Sequence, residues 1–522
     1  MDVNSAWIST CKVLLGVDPG SLADYGAWLS EHLEPYTKRK SCISGKEVFA
    51  VGDYPASAKF ESLDELGKLK KPPPLNINQI KDIDSILEAV REQAVYAGNI
   101  VLGNSSFVEN STGMEDSHCV DQSHTMHTCE SMAYCTVGRV DKFIFGCAGT
   151  GETTYSIKAM NNWRNTRCLN TSYAYESSDI YYSHQIFGCM DCLFCFNLRA
   201  KRRMIGNISL EAGKFAQLKK KLIGELAAEL VKRKRLPSLL ETASSKEGAK
   251  NIAHIEPAKQ EKTDMASIDS SFGKTCELVL GKNIGGLKEF GSYLSKHTQY
   301  VLKGKSCASG KDIFASGLSF DRAILGSAKA VALEELGHLC HEMKMGASFD
   351  ASLKSMPALI APVAYFCADQ QQQSTNIIEC THYQSSSDSY RSSRVFFTKS
   401  CAYCFWPRDC ERVFGCQSLR NSSFCIKCYN SFKLARCFEV DTSQNCTGSY
   451  FLHNCENVHD SMFCFNAKNL RYAVANTEVG RERFLQLKAA VLGEIAEKLE
   501  KEKTIEISIY SLGNGKKQPK GG

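Results

Sequence analysis

The stretch from Cys401 to Cys464 restricts what this chain can fold into more than any other feature of the sequence. Intervals of nine residues recur between its cysteines, and between the later ones every third residue is apolar or small. A strand repeats about every two residues and a helix about every 3.6, so a strict period of three indicates neither. It favours a β-solenoid, in which short strands alternate with tight corners and a small residue turns inward at each step. The residues predicted to point inward are Cys437, Val440, Ser443, Cys446, Ser449, Leu452, Cys455, Val458, Ser461 and Cys464.

The spacing of the cysteines also suggests a coil length. Cys380 and Cys401 differ by 21 in number, whereas Cys428 and Cys446 differ by 18. We therefore predict coils of roughly 18–21 residues, with the cysteines of successive coils stacked at the distance between neighbouring strands.

The chain also repeats itself on a larger scale. Cys11–Gly16 and Lys40–Ala50 recur as Cys276–Gly281 and Lys305–Ala315, and the numbers of equivalent positions differ by 265. Downstream this offset is 269, and it aligns four cysteines of the first half with four of the second. Self-similarity of this kind predicts two tandem copies of one plan. The aligned pairs are Cys135 with Cys404, Cys147 with Cys416, Cys168 with Cys437, and Cys195 with Cys464.

The predicted fold class is mainly β with α, in which each copy has a mixed α/β head, a short β-solenoid and a capping amphipathic helix. Each helix shows a single apolar stripe, and such a helix can cover the open strand edges at the end of a solenoid. The predicted segments are heads at 1–117 and 269–377, solenoids at 118–208 and 378–475, capping helices at 209–235 and 476–503, a linker at 236–268 and a tail at 504–522.

Composition bears on the compartment. The chain has 25 cysteines in 522 residues, its start lacks a basic and apolar leader, and it has no long uninterrupted apolar run. We therefore expect a cytoplasmic protein with no membrane span, whose cysteines are mostly small buried hydrophobes. The net charge of +6 is modest for this length and does not by itself indicate nucleic-acid binding.

The segment Phe414–Ile426, with the cysteines around it and the closing Phe463-Cys-Phe-Asn466, resembles a group of uncharacterised proteins. These are cysteine-rich β-solenoid repeat proteins from uncultivated microbes, some of which carry a CaiB/BaiF family label. The resemblance covers mainly 378–500, and 130–230 more weakly. It implies a solenoid behind a small zinc-binding head with paired cysteines, but Cys42 and Cys307 stand alone here. It implies no activity, and these residues give the coenzyme A transferase label no support.

A cluster before the first solenoid has the composition of a metal site: His118, Cys119, His124, His127 and Cys129. Imidazole and thiolate at this density are ligands that zinc prefers, so zinc is the metal predicted here. The alternative is a polar loop without metal. The Cys-x-x-Cys pairs within the solenoids are interpreted instead as neighbouring inward steps, since the ladder continues past each of them.

A basic run follows the first solenoid and comprises Arg199, Lys201, Arg202 and Arg203. It predicts a binding surface for nucleic acid or another polyanion, with a solvated surface as the alternative.

Three functions remain open at this point. The first is a non-enzymatic scaffold or protein-interaction module that binds a protein partner or itself. The second is a carbohydrate-binding or carbohydrate-active β-helix protein, which a row of acids and aromatics along one face would favour. The third is a zinc- or redox-responsive binding protein. No nucleophile–base motif or dinucleotide fingerprint is present, so an enzyme is the less favoured class and no organic cofactor is expected.

Overall fold

The structure is a computed structural model that describes residues 2–68, 83–91, 94–244, 255–256, 263–344, 346 and 349–512. Residues 245–254 and 257–262 of the predicted linker lie outside the described residues, as does 513–522 of the predicted tail.

Helices occur mainly in the two heads and after each set of strands. Short 3₁₀ turns lie at Leu22–Tyr25, Ser30–His32, Leu63–Glu65, Leu287–Phe290 and Leu333–Glu335. The α-helices are α1 Val3–Leu15, α2 Gly26–Leu29, α3 Ile83–Arg91, α4 Ala212–Arg233, α5 Leu239–Ala243, α6 Met265–Leu280, α7 Gly291–Ser295, α8 Ser319–Leu325, α9 Leu336–Leu339, α10 Met356–Ile360 and α11 Arg481–Glu502.

The strands are short, and most have four residues. Those of the first head, residues 2–98, are β1 Thr37–Lys40, β2 Glu47–Ala50, β3 Lys59–Ser62 and β4 Val95–Gly98. Those of 101–209, which we call the first stack, are β5 Val101–Leu102, β6 Ser106–Glu109, β7 Thr112–Glu115, β8 His118–Asp121, β9 His124–His127, β10 Glu130–Ala133, β11 Thr136–Arg139, β12 Lys142–Phe145, β13 Ala148–Gly151, β14 Thr154–Ile157, β15 Thr166–Leu169, β16 Ser172–Tyr175, β17 Ser178–Tyr181, β18 His184–Phe187, β19 Met190–Leu193, β20 Phe196–Arg199, β21 Arg202–Ile205 and β22 Ile208–Ser209.

The second half follows the same order. The second head, residues 263–368, has β23 Leu302–Lys305 and β24 Asp312–Ala315. Residues 371–478, which we call the second stack, contain β25 Gln371–Gln372, β26 Thr375–Ile378, β27 Thr381–Gln384, β28 Ser387–Tyr390, β29 Ser393–Phe396, β30 Lys399–Ala402, β31 Glu411–Phe414, β32 Ser423–Ile426, β33 Ala435–Asp441, β34 Tyr450–His453, β35 Ala473–Val474 and β36 Thr477–Glu478.

The stacks are built from parallel strands. In the first stack, one sheet runs β22-β21-β19-β17-β15-β14-β12-β10-β8-β6, and smaller sheets run β13-β11-β9-β7-β5 and β16-β18-β20. In the second, the sheets run β26-β28-β30-β31-β32-β33-β34 and β25-β27-β29. Among the described strands of the stacks, only the terminal pairs β21–β22 and β35–β36 are antiparallel. The protein is therefore mixed α/β and strand-rich, with parallel sheets compatible with the predicted solenoid.

The predicted coil length is wrong, because the repeat is shorter than the cysteine spacing suggested. Paired strand positions in both stacks differ by 12 in residue number, as in Glu130 with Lys142 and Cys425 with Cys437. The predicted period of three was compatible with any multiple of three. The cysteine intervals of 18 and 21 reflect which inward positions happen to hold cysteine.

The backbone explains the interval of 12. Along both stacks nearly every third residue has a positive φ, including bulky ones such as Val137 (58°) and Phe463 (55°). A residue in the left-handed region turns the chain, and four of these corners fall within each interval of 12. This conformation costs energy for non-glycine residues. Hydrogen bonds across the step compensate: Phe463 N–H donates to Tyr450 O at 2.9 Å, and Tyr450 N–H to Ser461 O at 3.0 Å.

The inward position of the every-third residues is confirmed, since each of the ten from Cys437 to Cys464 is at most 3% exposed. Inward cysteine and serine side chains of the stacks also accept hydrogen bonds from backbone N–H groups. The N–H of Cys428 donates to Cys416 Sγ at 3.4 Å, and the N–H of Cys455 donates to Ser443 Oγ at 3.0 Å. In both pairs the acceptor lies one 12-residue step earlier. Cysteine and serine therefore recur here because they are small and can accept a buried N–H that a hydrocarbon would leave unpaired.

α1 and α6 lie along the long sheets, and α4 and α11 pack beside them. α1 packs on β8, β10, β12, β14 and β15, and α6 packs on β28 and β30–β33. The predicted apolar stripes belong to α4 and α11, whose stripe residues are buried. α4 contacts α1 and β21, whereas α11 contacts α6 and α3. Among the described residues, no helix has both the length and the apolar character that a membrane crossing requires.

Part of the predicted linker is ordered. Residues 236–243 include the helix α5, and α6 already begins at Met265. Leu236, Leu239 and Ala243 are at most 3% exposed within the same core as α4. These apolar residues hold the segment on the protein, which its charged and polar neighbours did not indicate.

Each head also contacts the stack of the other half. Ala97 N–H of the first head donates to His453 Nε2 of the second stack at 2.9 Å. Cys367 N–H of the second head donates to His184 Nε2 of the first stack at 3.0 Å. The numbers of His184 and His453 differ by 269, the offset found in the sequence. The two halves are thereby linked into one body.

Candidate functional site

A cleft of about 590 Å³ lies between the two stacks, with the first head closing one side. Side chains of β7, β9 and β11 form one wall, and residues 406–468 form the other. Leu63 and Leu66 of the head also line the cleft, as does Ile100, which follows the head. A concave site of this size with a mixed lining can enclose a small ligand or a short segment of a partner.

The wall from the second stack consists of two columns of side chains with one residue per 12-residue step. The parallel pairing sets the register and aligns each column. The first column is Trp406, Ser418, Asn430, Thr442, Asn454 and Asn466, and the second is Arg408, Arg420, Phe432, Gln444, Glu456 and Lys468.

The wall from the first stack carries a matching column. Glu115, His127 and Arg139 occupy successive steps, since Glu115 pairs with His127 and His127 with Arg139. The numbers of Arg139 and Arg408 differ by 269, the downstream offset found in the sequence. Both line the same cleft.

Ion pairs compensate part of the positive charge of the arginines, and one of these pairs connects the two walls. Arg420 Nη2 lies 3.0 Å from Glu115 Oε2 across the cleft, and Arg408 Nε lies 3.5 Å from Asp409 Oδ2. Within the described part of the chain, no carboxylate lies within ion-pair distance of the Arg139 guanidinium. The cleft therefore contains one arginine without a carboxylate partner in the described structure.

The basic groups of the cleft influence one another. The pKa of Arg408 is lowered, mainly by burial and then by the positive charges of Arg139 and Arg420. Burial also lowers the pKa of His127, with further lowering by the two arginines Arg420 and Arg139, while Glu115 opposes it. With its pKa below the ordinary value, His127 is neutral at physiological pH.

The structure does not bring the five predicted zinc ligands together. His118 and Cys119 lie on β8 of the ten-stranded sheet, whereas His124 and His127 lie on β9 of a different sheet. Cys129 points inward and is 1% exposed. A corner of the chain separates each pair, so closeness in sequence does not become closeness in space. Across the described residues, no group of three or more His, Cys, Asp or Glu side chains is placed to hold a metal ion.

Two of these histidines have other partners. His124 Nε2 lies 3.0 Å from the carbonyl oxygen of Glu34, to which it donates, and burial lowers its pKa to about 4. His118 Nδ1 lies 2.9 Å from Ser106 Oγ at the surface. Of the five predicted ligands, His127 alone lines the cleft.

The predicted polyanion surface is divided between two strands. Arg199 lies on β20 and covers the ring of Phe187 at 4.2 Å, whereas Arg202 and Arg203 lie on β21 of the long sheet. Lys201 forms an ion pair with Glu342. The basic run therefore spreads over more than one face of the first stack.

Sequence reasoning missed the cleft. Arg139 lies far along the chain from Arg408 and Arg420. In the sequence alone, nothing distinguishes each of these arginines from an ordinary surface residue. The usable signal was the combination of the downstream offset, which aligns Arg139 with Arg408, and a step of 12, which aligns Arg408 with Arg420. That step became clear only from the strand register.

The buried carboxyl group of Asp141 predicts how the stability of the protein depends on pH. Asp141 is fully buried, and burial raises its pKa from 3.8 to about 7 despite hydrogen bonds from Thr153 N–H, Thr150 Oγ and Arg139 N–H. The folded state therefore binds a proton that the unfolded state releases between these two values. Asp141 should lower the free energy of unfolding as pH rises from about 4 to about 7, by up to ~1.4 kcal/mol per pH unit.

Asp141→Asn should remove this slope, because asparagine does not titrate in that range. Urea unfolding of both proteins between about pH 4 and about pH 7 measures this slope. Subtracting one stability curve from the other removes the contribution of the buried histidines, which both proteins share. Parallel stability curves for the two proteins would contradict the raised pKa.

Comparison of the chain with protein-family models, curated proteins and solved structures gives no match.

Proposed function

We propose that the protein is a non-enzymatic scaffold made of two tandem β-solenoid copies, and that the cleft between them docks a protein partner. Each copy comprises a head, a solenoid of 12-residue coils and a closing helix. The carrying observation is the cleft itself, whose walls come from equivalent columns of both stacks and present charged, amide and aromatic side chains.

Equivalent buried contacts support the duplication. Lys158 Nζ donates to Trp28 O at 2.8 Å, and Lys427 Nζ donates to Tyr293 O at 3.0 Å. The lysines differ by 269 in number and their partners by 265, the two offsets found in the sequence. A buried lysine that fixes a head to its own stack is therefore a feature of each half.

The use of the buried histidines supports a structural rather than catalytic reading. His453 Nδ1 lies 2.9 Å from Asp441 Oδ2, an arrangement that orients the imidazole of many catalytic bases. Here Nε2 already accepts the N–H of Ala97, and both side chains are fully buried. That lone pair is engaged and cannot take a proton from a substrate without breaking the contact between head and stack.

A blocking variant tests the proposal. Ser418→Trp should place a large side chain in the cleft, and Arg436→Trp adds the same side chain at an exposed position outside it. Both positions have a positive φ, as the native Trp406 does, so the backbone can hold a tryptophan there. Partners isolated with the native protein and quantified by mass spectrometry should fall at least about tenfold for Ser418→Trp alone, a loss of ~1.4 kcal/mol. Equal recovery with all three proteins would reject the cleft as the docking site. Sedimentation of the purified protein separates self-association from a foreign partner.

A row of aromatic residues favours carbohydrate binding as a second candidate. Trp163, Tyr175 and Phe187 occupy successive 12-residue steps on one face of the first stack. Tyr175 and Phe187 stack at 5.1 Å between ring centroids, and Arg199 covers Phe187. Titration with oligosaccharides, monitored by tryptophan fluorescence, separates the candidates: carbohydrate binding requires a response that Trp163→Ala abolishes, and a partner scaffold requires none.

A further inference from the structure

Three guanidinium groups converge on one part of the cleft. Arg139 comes from β11, and Arg408 and Arg420 occupy successive steps of the facing stack. Like charges repel, so such a group is stable only with compensating anions nearby. Burial and the neighbouring arginines lower the pKa of Arg408, which supports the closeness of the three groups.

The compensation within the protein is incomplete. Glu115 pairs with Arg420 across the cleft, and its other neighbour, His127 Nε2, lies 3.8 Å away. Asp409 pairs with Arg408, and half of its side chain is exposed to water. Arg139 has no ion-pair partner among the residues that the structure describes. This part of the cleft thus contains three guanidinium cations and two carboxylates that pair with them.

The surroundings hold the guanidinium groups in place and provide an apolar contact. Arg420 lies over the ring of Phe432, 5.3 Å from its centroid, and its pair with Glu115 fixes it from the other side. Trp406 lies on the same wall and is partly exposed, whereas the side chains of Met114 and Met126 behind the facing wall are buried in the core of the first stack. Arginine held in this way is suited to bidentate bonds with planar or tetrahedral oxyanions.

We propose that this part of the cleft binds an oxyanion, such as a carboxylate, sulfonate or phosphate group, carried on an apolar body. The oxyanion lies against Arg139 and Arg408, and the apolar body lies against Trp406. The inference rests on the proposed docking role of the cleft and names the chemical group that the docked ligand presents.

Two related fluorescent probes test it. Anilinonaphthalene sulfonate carries a sulfonate on an apolar body, and phenylnaphthylamine has a similar body without the charge. We expect the sulfonate probe to bind more tightly, and Arg139→Gln to weaken it roughly tenfold to hundredfold, the usual range for losing a charge-assisted hydrogen bond. The neutral probe should change by less than about twofold, because it makes no such bond. Arg436→Gln, outside the cleft, should affect neither probe.

Competition identifies the source of the oxyanion. Displacement by inorganic phosphate assigns the site to phosphate groups, and displacement only by a terminally blocked acidic peptide assigns it to carboxylates of a partner chain. Equal affinity for both probes, or no loss with Arg139→Gln, overturns the oxyanion site. If Ser418→Trp still blocks the neutral probe in that case, the docking role stands without it; if Ser418→Trp affects neither probe, both proposals fail.

Discussion

Cys437→Asp should give no folded protein at neutral pH. The thiol of Cys437 is fully buried inside the second stack, where Sγ lies 3.5 Å from Ala435 O and 3.6 Å from Cys446 O. A carboxylate at this position would face two carbonyl oxygens, beside the backbone N–H of Ser449. Burying a charge without compensating partners costs more than the free energy by which a typical domain is stable.

The first stack contains an instructive exception. Asp141 also points inward and is fully buried, but its carboxylate receives hydrogen bonds from Thr153 N–H, Thr150 Oγ and Arg139 N–H. An inward acid is therefore tolerated where donors surround it. Cys437 lacks this set of donors, so the two sites should differ although the same side chain occupies both.

Matched variants separate charge from volume. Cys437→Ala leaves a small cavity and should lower the free energy of unfolding by on the order of 1 kcal/mol. Cys437→Ser keeps a group that can accept and donate and should be tolerated similarly. Cys42→Asp places the same charge at an exposed cysteine and should be nearly neutral. Circular dichroism and urea unfolding measure all four variants, and a cooperative Cys437→Asp protein of normal stability would show that this thiol is not core.

The sequence indicated the inward residues but not the path of the chain between them. The period of three identified Cys446, Leu452 and Cys464 as core, and all three are fully buried. A period of three leaves undetermined how many residues separate paired strands, because hydrogen bonds between the strands set that number. The register of 12 is therefore a property of the folded backbone, visible in the pairing of Cys425 with Cys437.

The candidate site was still less accessible from sequence. His118, Cys119 and His124 stood close together in the chain, yet the corners direct them to different sheets. Arg139 and Arg420 are far apart in the chain and meet only because the two stacks pack side by side. Local composition thus predicted a zinc site whose residues the corners place on different sheets. The arginines of the cleft come together through packing between the two stacks, and no local motif indicates them.

Deleting residues 477–522 should cause the protein to aggregate. The deletion removes α11, whose stripe Phe484, Leu487, Val491, Ile495 and Leu499 is at most 3% exposed and packs in one core with α6 and the last strands. Burial of five such side chains stabilises by on the order of 10 kcal/mol, comparable to the whole stability of a domain. The exposed core and strand edges would then associate with other copies.

A shorter deletion and a pair of leucines show which part of this region is responsible. Deleting 504–522 keeps α11 but removes the bonds from Ile509 N–H to Glu439 and from Tyr510 Oη to Asp441, which leaves buried carboxylates with fewer donors. It should lower stability without the aggregation that follows loss of the helix. Leu487 is 3% exposed and Leu485 is 44% exposed on the same helix, so Leu487→Asp should reproduce the long deletion and Leu485→Asp should not. Light scattering and size-exclusion chromatography separate these outcomes, and a monomeric 1–476 protein with unchanged melting would mean that α11 covers nothing the fold requires.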